Sequence, residues 1–159
     1  LAKQNGATHT LKMSVQEAGK AVADITGGWR ADVVFDVTGH PAVLGAAVTL
    51  VRKLGRLVLL GDTPTPGQQM LGPGVVSNAI AILGTHGYAV PDKKTEFTPW
   101  TVEEMSHVFF DYLSRGLMNI DSLITRHVSP LDAPAIYAGL VKDRSQSLGL
   151  IFDWSTLSE

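Results

Sequence analysis

The sequence predicts an α/β protein built around a doubly wound parallel sheet. Apolar, strand-like runs alternate along the chain with segments that have helical spacing. The predicted strands are continuously apolar, which is typical of parallel strands buried on both faces. Right-handed crossovers between such strands place helices on both sides of the sheet.

The composition is that of a globular protein and narrows the classes of function. The chain has 159 residues, of which 45% are hydrophobic and 18% charged, and its net charge is -2. No basic patch indicates nucleic acid, and no apolar run has transmembrane length. The absence of cysteine excludes disulfides and thiolate metal sites and fits a reducing, cytoplasmic location, which we expect. The chain begins at Leu1 with residues typical of a helix end, so we expect it to be a fragment.

The first third of the sequence predicts strand, helix and strand in that order. Residues 8–13 form a short strand candidate. Ser14 and Glu17 have the spacing of a capping box, and the helix that follows ends at Gly27-Gly28. The run DVVFDVT, residues 32–38, predicts the next strand.

The middle of the sequence continues the alternation. Pro41 is suited to a first helical turn, and the predicted helix runs to about Lys53, with Gly55 as its end. Residues 56–62 predict a strand, and a Pro- and Gly-rich loop follows. Residues 75–79 predict a short helix, and residues 79–87 a further strand.

The last third predicts two helices and a final strand. Thr101 and Glu104 form a second potential capping box ahead of an amphipathic helix that ends near Gly116. Residues 130–141 predict another helix, and residues 149–154 a strand. The paired acids Glu103 and Glu104 suit a first helical turn because they face the positive end of the helix dipole.

Small and polar residues follow three of the predicted strands. They are Val37-Thr38-Gly39, Gly61-Asp62 and Gly84-Thr85-His86. Parallel strands bring their carboxyl ends to one edge, where doubly wound sheets bind ligands. Glycine lets a flat ligand lie against the backbone without an intervening side chain.

Five segments, in this order and spacing, resemble the second half of a medium-chain dehydrogenase/reductase, the family of the zinc-containing alcohol and polyol dehydrogenases. The segments are GATHTLK, GGWRADVVFDVTGHP, LVRKLGRLVLLGD, ILGTHGY and LITRHVSPLDAPAIYAGL. The resemblance implies that residues 1–116 are part of a Rossmann-like dinucleotide-binding domain. It implies that residues 117–159 return to a catalytic domain.

The resemblance also implies a nicotinamide cofactor, NAD or NADP, and a small alcohol or polyol substrate in the parent enzyme. Val37, Thr38 and Gly39 would lie near the adenosine half of the cofactor, and Gly61, Asp62 and Thr63 would line the nicotinamide side. Gly84, Thr85 and His86 would offer backbone groups to the carboxamide. The edge strand 79–86 would pair with a second copy to form a homodimer.

By the same resemblance, important parts of the family pattern would precede Leu1. These are the Gly-rich phosphate loop, the residue that selects NAD or NADP, the catalytic zinc ligands, and the first two strands of the sheet. Without those two strands, residues 8–13 would face a gap of about 14 Å. We therefore expect this segment to be displaced, frayed or paired with another chain.

Several candidate residues have structural alternatives. His86 could be a loop histidine, and His40 could be a helix-entry residue. Asp36 could be a ligand residue or a capping residue. The same two roles are open for Asp62, where the preceding Gly61 slightly favours a place in the site. Residues 72–77 look superficially like a phosphate loop, but Pro73 removes an amide donor and no strand precedes them. At Gly149, many relatives have Lys or Arg directed to the cofactor phosphates.

The sequence leaves three interpretations open. The first is the cofactor-binding part of an alcohol or polyol dehydrogenase, inactive by itself because none of its residues is a credible general base. The second is a non-catalytic Rossmann-like module for dimerisation or nucleotide binding. The third is a relative of the zinc-free quinone reductases.

Overall fold

The computed structural model describes residues 1–145 and 147–157 of the chain. They form two compact units, Thr8–Met105 and Leu1–Ala7 together with Ser106–Glu159. The division into 1–116 and 117–159 concerns how a complete enzyme would be organised and stays a prediction. Among the residues described, no helix has the length and apolarity needed to cross a membrane.

The unit Thr8–Met105 is built on a three-stranded parallel sheet, as predicted. Its strands are β1 (Ala31–Asp36), β2 (Val51–Leu59) and β3 (Ala81–Gly84), in the spatial order β1-β2-β3. Phe35 pairs with Val58, and Val58 pairs in turn with Leu83. The three strands therefore end at the same edge of the sheet.

The helix α2 (Pro41–Leu50) covers one face of this sheet. Its Ala47 and Val48 pack with Leu57 of β2 in the buried core, where Leu57 is fully inaccessible. Burying a leucine of this kind contributes about 2 kcal/mol to folding. Val34 packs against the core, so its neighbour Phe35 points to the opposite face, where it is 60% exposed.

Residues 8–13 do not form a strand, so that prediction is wrong. A parallel strand needs a neighbour to pair its amides, and no strand of the described chain lies beside this segment. The helix that follows, α1 (Ala18–Ile25), starts later than predicted. The Ser14 N–H donates to the Glu17 carboxylate at 3.1 Å, which is half of the predicted capping box, whereas the Ser14 hydroxyl donates to the same carboxylate at 2.7 Å and accepts no helix N–H. These two hydrogen bonds, that from the hydroxyl first, lower the pKa of Glu17.

Three further boundaries differ from the predictions. Strand β2 starts directly after α2, and Gly55 lies within it and does not end the helix. A register shift between β1 and β2 absorbs the extra residues. Residues 75–79 form turns and no helix, and β3 is shorter than the predicted strand 79–87.

The unit formed by residues 1–7 and 106–159 contains most of the helix α3 (Val102–Ser114) and a second, two-stranded parallel sheet. The sheet pairs β4 (Ile124–Val128) with β5 (Gly149–Phe152), and α4 (Ala133–Lys142) lies between them in sequence. The predicted helix 130–141 is therefore shifted, since Pro130–Asp132 form a 3-10 turn.

Two details of these predicted elements have a clear physical basis. The Glu104 N–H donates to Thr101 Oγ1 at 3.3 Å, but the Glu104 carboxylate pairs with Lys94 and so forms only half of the expected capping box. At Gly149, an added Cβ would lie 2.5 Å from the Leu123 carbonyl oxygen. Close backbone approach therefore favours glycine at a position where relatives were expected to have Lys or Arg.

Candidate functional site

The carboxyl ends of β1, β2 and β3 are joined by backbone hydrogen bonds that continue past the strands. The N–H groups of Leu60 and Gly61 both donate to the Asp36 carbonyl oxygen, at 2.9 and 3.1 Å. The Thr85 N–H donates to the Leu59 carbonyl oxygen at 3.0 Å. The three loops that were predicted to converge are therefore held beside one another.

Asp36 organises the loop after β1 through its buried side chain. Its carboxylate accepts hydrogen bonds from the Thr38 N–H at 2.9 Å and the Thr38 hydroxyl at 2.7 Å. Thr38 Oγ1 in turn accepts from the His40 N–H at 3.1 Å. This arrangement is a local turn in which Asp36 serves its own loop. These contacts lie within the loop, and the N-cap of α2 is His40, so they do not correspond to a helix cap; a ligand role for Asp36 stays a prediction.

His40 is the N-cap of α2, as the helix-entry interpretation predicts. Its Nδ1 accepts a hydrogen bond from the Ala42 N–H at 3.2 Å, which satisfies a donor in the first turn. The His40 side chain therefore stabilises the start of the helix that covers the sheet.

Gly39 and Gly61 allow the first two loops to touch backbone to backbone. A Cβ at Gly39 would lie 2.1 Å from the Asp62 carbonyl oxygen, and Gly39 also has a positive φ of 61°. A Cβ at Gly61 would lie 2.4 Å from the Gly39 nitrogen. No side chain fits at either position, so these glycines fix the distance between the loops.

A cavity of about 370 Å³ opens between the ends of β2 and β3. It brings together six of the predicted site residues: Gly61, Asp62, Thr63, Gly84, Thr85 and His86. Its volume lies within the usual range for small-molecule sites. The Thr63 N–H donates to Asp62 Oδ1 at 2.9 Å, so the Asp62 carboxylate is engaged within its own loop.

The other three predicted residues are placed differently. Val37 and Thr38 line a separate cavity of about 480 Å³ beside β1, together with residues 14–16 and several residues of β1 and α2. Gly39 lines neither of these two cavities. It forms the backbone contact between the loop after β1 and the loop after β2. Whether these nine residues bind a cofactor stays a prediction.

Sequence reasoning missed four residues that line the cavity between β2 and β3: Leu59 and Leu60 at the end of β2, and Gln69 and Ala89 in the loops. Gln69 follows the 3-10 turn Pro66–Gln68, and Ala89 belongs to the turn Gly87–Ala89. Neither position has a local signal, because a polar loop residue and an alanine acquire this role only when the loops fold back over the sheet edge.

The glycine-rich residues 72–77 do not form a phosphate loop. The N–H groups of Asn78, Ala79 and Ile80 donate to carbonyl oxygens of residues 74–76, at 2.9–3.1 Å. These hydrogen bonds close a turn at the end of the segment. The segment also follows a loop and not a strand, as expected.

The described residues offer no site that suits a catalytic zinc ion. No group of three or more His, Asp or Glu side chains among them is arranged to hold a metal, and the sequence has no cysteine. The lining of the cavity between β2 and β3 combines small residues, Gly61, Gly84 and Ala89, with the polar residues Asp62, Thr63, Gln69, Thr85 and His86, a combination that suits a small-molecule site.

Comparison with known proteins places this geometry in a family. The sequence model described as zinc-binding dehydrogenase matches residues 1–105. The chain is 32% identical over 115 residues to sorbitol dehydrogenase of Bacillus subtilis (strain 168), an alignment that covers 71% of this chain and 32% of that protein. It is 43% identical over 61 residues to erythritol/L-threitol dehydrogenase of Mycolicibacterium smegmatis, covering 38% and 17%. The chain thus spans a third or less of these relatives.

The fold has a counterpart among solved structures. A short chain alcohol dehydrogenase from E. coli CFT073, solved in complex with NADH, has a similar fold, with a TM-score of 0.73. The match covers 96% of this chain and 40% of the dehydrogenase chain. At 22% sequence identity, this match supports the fold.

Proposed function

The chain belongs to the zinc-binding dehydrogenase family, a branch of the medium-chain dehydrogenases/reductases, and from this premise we propose that it is the cofactor-binding part of an NAD(P)-dependent oxidoreductase. The parent enzyme would transfer hydride between an alcohol or polyol and the nicotinamide. A cytoplasmic location belongs to the same proposal.

The observation that supports the proposal best is the shared cavity at the ends of β2 and β3. Gly61, Asp62 and Thr63 come from one strand end, and Gly84, Thr85 and His86 from the next. Ligands of doubly wound sheets bind at such carboxyl ends. The cavity volume of about 370 Å³ is within the range of small-molecule sites, and Gly84 adds no side chain to its wall.

The chain would bind and orient the cofactor, and the nicotinamide ring would supply the hydride chemistry. Residues 61–63 would line one side of the ring, and residues 84–86 would present backbone groups to its carboxamide. Val37, Thr38 and Gly39 would support the adenosine half. Asp36 would act as a positioning residue, because its carboxylate holds Thr38 in place.

Catalysis would depend on residues outside this chain. The described residues do not fit a zinc ion, so no step of the proposal passes through one here. We therefore expect this chain alone to turn over no alcohol.

The exposed edge of the sheet belongs to the proposal as well. Strand β3 is paired with β2 on one side and is the last strand in the described sheet. Pairing of β3 with the same strand of a second copy would satisfy its remaining amides.

Light scattering should give a dimer for the full chain and a monomer for Leu83→Lys. The control variant Val76→Lys, which changes a side chain that is 93% exposed, should stay dimeric. A monomeric unmodified chain would contradict the pairing.

Cofactor binding can be tested directly by titrating the full chain with NADH and NADPH and measuring the dissociation constants by calorimetry. The Gly84→Leu variant should weaken binding at least tenfold, because its side chain would occupy the cavity and displace the ring. An added Cβ at Gly84 meets nothing within 4 Å, so the variant should fold.

Gly67→Leu is the matched control, since Gly67 has equally open surroundings and does not line the cavity. Binding unchanged by Gly84→Leu would contradict the assignment of the site. No binding of either cofactor by a folded chain would contradict the function and favour a role in assembly.

A further inference from the structure

A third cavity, at the opposite end of the same sheet, is not used by the proposed function. It has a volume of about 510 Å³ and lies at the amino ends of β1 and β2. The residues that line it are Gly28, Trp29, Arg30, Val51, Arg52, Lys53, Leu54 and Asn78. All of them belong to the compact unit Thr8–Met105.

The lining of this amino-end cavity is cationic. It contains Arg30, Arg52 and Lys53 and no acidic residue, in a chain whose net charge is -2. Arg52 is held by an ion pair with Asp32 and donates to the Lys53 carbonyl oxygen at 3.1 Å. Within the described ranges, Arg30 and Lys53 pair with no carboxylate. Two cations are therefore available to an anion.

The backbone around the amino-end cavity is strained in a consistent way. Arg30, Leu54 and Ala79 have positive φ values of 67°, 58° and 49°, and they are the three non-glycine residues with this conformation in the described chain. Arg30 and Leu54 line the cavity, and Ala79 follows Asn78, whose carbonyl oxygen accepts from the Leu54 N–H at 2.9 Å. Strained residues of this kind cluster at functional sites.

Trp29 adds a large aromatic surface to the same wall. Its side chain lines the cavity and is 77% exposed, so its area is not used in the core. An exposed indole next to guanidinium and ammonium groups can stack on a flat group whose charge the cations neutralise.

From these features we infer that the amino-end cavity binds a small phosphomonoester with a flat aromatic group. Phosphate suits Arg30 because guanidinium donors match its oxygens, and Lys53 adds a point charge. The cavity volume is that of a small-molecule site. The inference does not depend on the nicotinamide assignment.

Phenyl phosphate is a suitable probe, because it carries both chemical features and no nucleoside. Binding to the full chain would be followed by NMR through the indole N–H signal of Trp29, assigned with Trp29→Phe. We expect a saturable shift with phenyl phosphate and a much weaker response to phenol. Lys53→Ala should weaken binding about tenfold, the loss of one charge-assisted contact.

Arg30→Gly separates binding from folding. It removes a cation and also relieves a positive φ, so affinity should fall while the melting temperature rises. Ala79→Gly is the matched control, because it relieves a positive φ without changing a lining side chain, and its affinity should stay within about twofold. Gly84→Leu, at the other end of the sheet, should leave the affinity unchanged.

Three results would overturn the inference. The first is the absence of a saturable shift at millimolar phenyl phosphate. The second is equal affinity for phenol, which would show that the phosphate contributes nothing. The third is loss of binding in Gly84→Leu, which would place the probe in the cavity between β2 and β3.

Discussion

The two ends of the three-stranded sheet differ in what their special backbone positions require. At the carboxyl end, glycine occupies the positions where loops touch, Gly39 and Gly61. At the amino end, Arg30, Leu54 and Ala79 adopt positive φ although they carry side chains. The comparison indicates that the carboxyl end is limited by space, whereas the amino end keeps particular side chains at a conformational cost.

The largest expected effect is at the carboxyl end. Gly39→Ala would place a Cβ 2.1 Å from the Asp62 carbonyl oxygen at a positive φ. We expect the free energy of unfolding to fall by about 3 kcal/mol, because the loops would be forced apart and the backbone strained. Urea denaturation would measure this change, and a loss below about 1 kcal/mol would show that the contact is adaptable.

The next effect tests whether hydrogen bonding supports the same loop. Asp36→Ala removes the acceptor for the Thr38 N–H and hydroxyl and leaves a partly buried donor unpaired. The expected loss of unfolding free energy is about 2 kcal/mol. Asp36→Asn, which keeps one acceptor oxygen, should lose less in the same urea experiment. Equal losses for the two variants would show that the negative charge of Asp36, and not its acceptor oxygen, stabilises the loop.

A smaller effect of opposite sign is expected at the amino end. Leu54 has a φ of 58° and is 75% exposed, so Leu54→Gly removes strain and little buried area. The unfolding free energy should rise by about 1 kcal/mol. A decrease on thermal or urea denaturation would mean that the leucine side chain contributes more than its backbone costs, and the contrast between the two ends would fail.

The smallest effect separates glycines that are needed from glycines that are not. Gly84 lies at the carboxyl end beside the same cavity, but an added Cβ would meet nothing within 4 Å. Gly84→Ala should change the unfolding free energy by less than about 0.5 kcal/mol. A loss comparable to that of Gly39→Ala would show that the end as a whole, and not the close contact, requires glycine.

The sequence alone determined the parallel strands, the sheet edge at which small residues collect, and the family. Strand and helix patterns are local properties, so β1, α2 and β5 could be predicted from hydrophobic runs and turn residues. The capping role of His40 followed from its position before Pro41. The glycines after the strands could be recognised as a group, but not that close contact requires Gly39 and Gly61 and does not require Gly84.

Only the tertiary structure decided which loops touch. That Gly39 meets Asp62 while Gly84 meets nothing depends on register and loop path, and neither is encoded locally. The same holds for Gln69 and Ala89, which reach the cavity from distant turns, and for residues 8–13, whose strand pattern is not realised without a partner. A strand needs a neighbour and a cavity needs opposing walls, so both arise from contacts between segments that a single stretch of sequence does not contain.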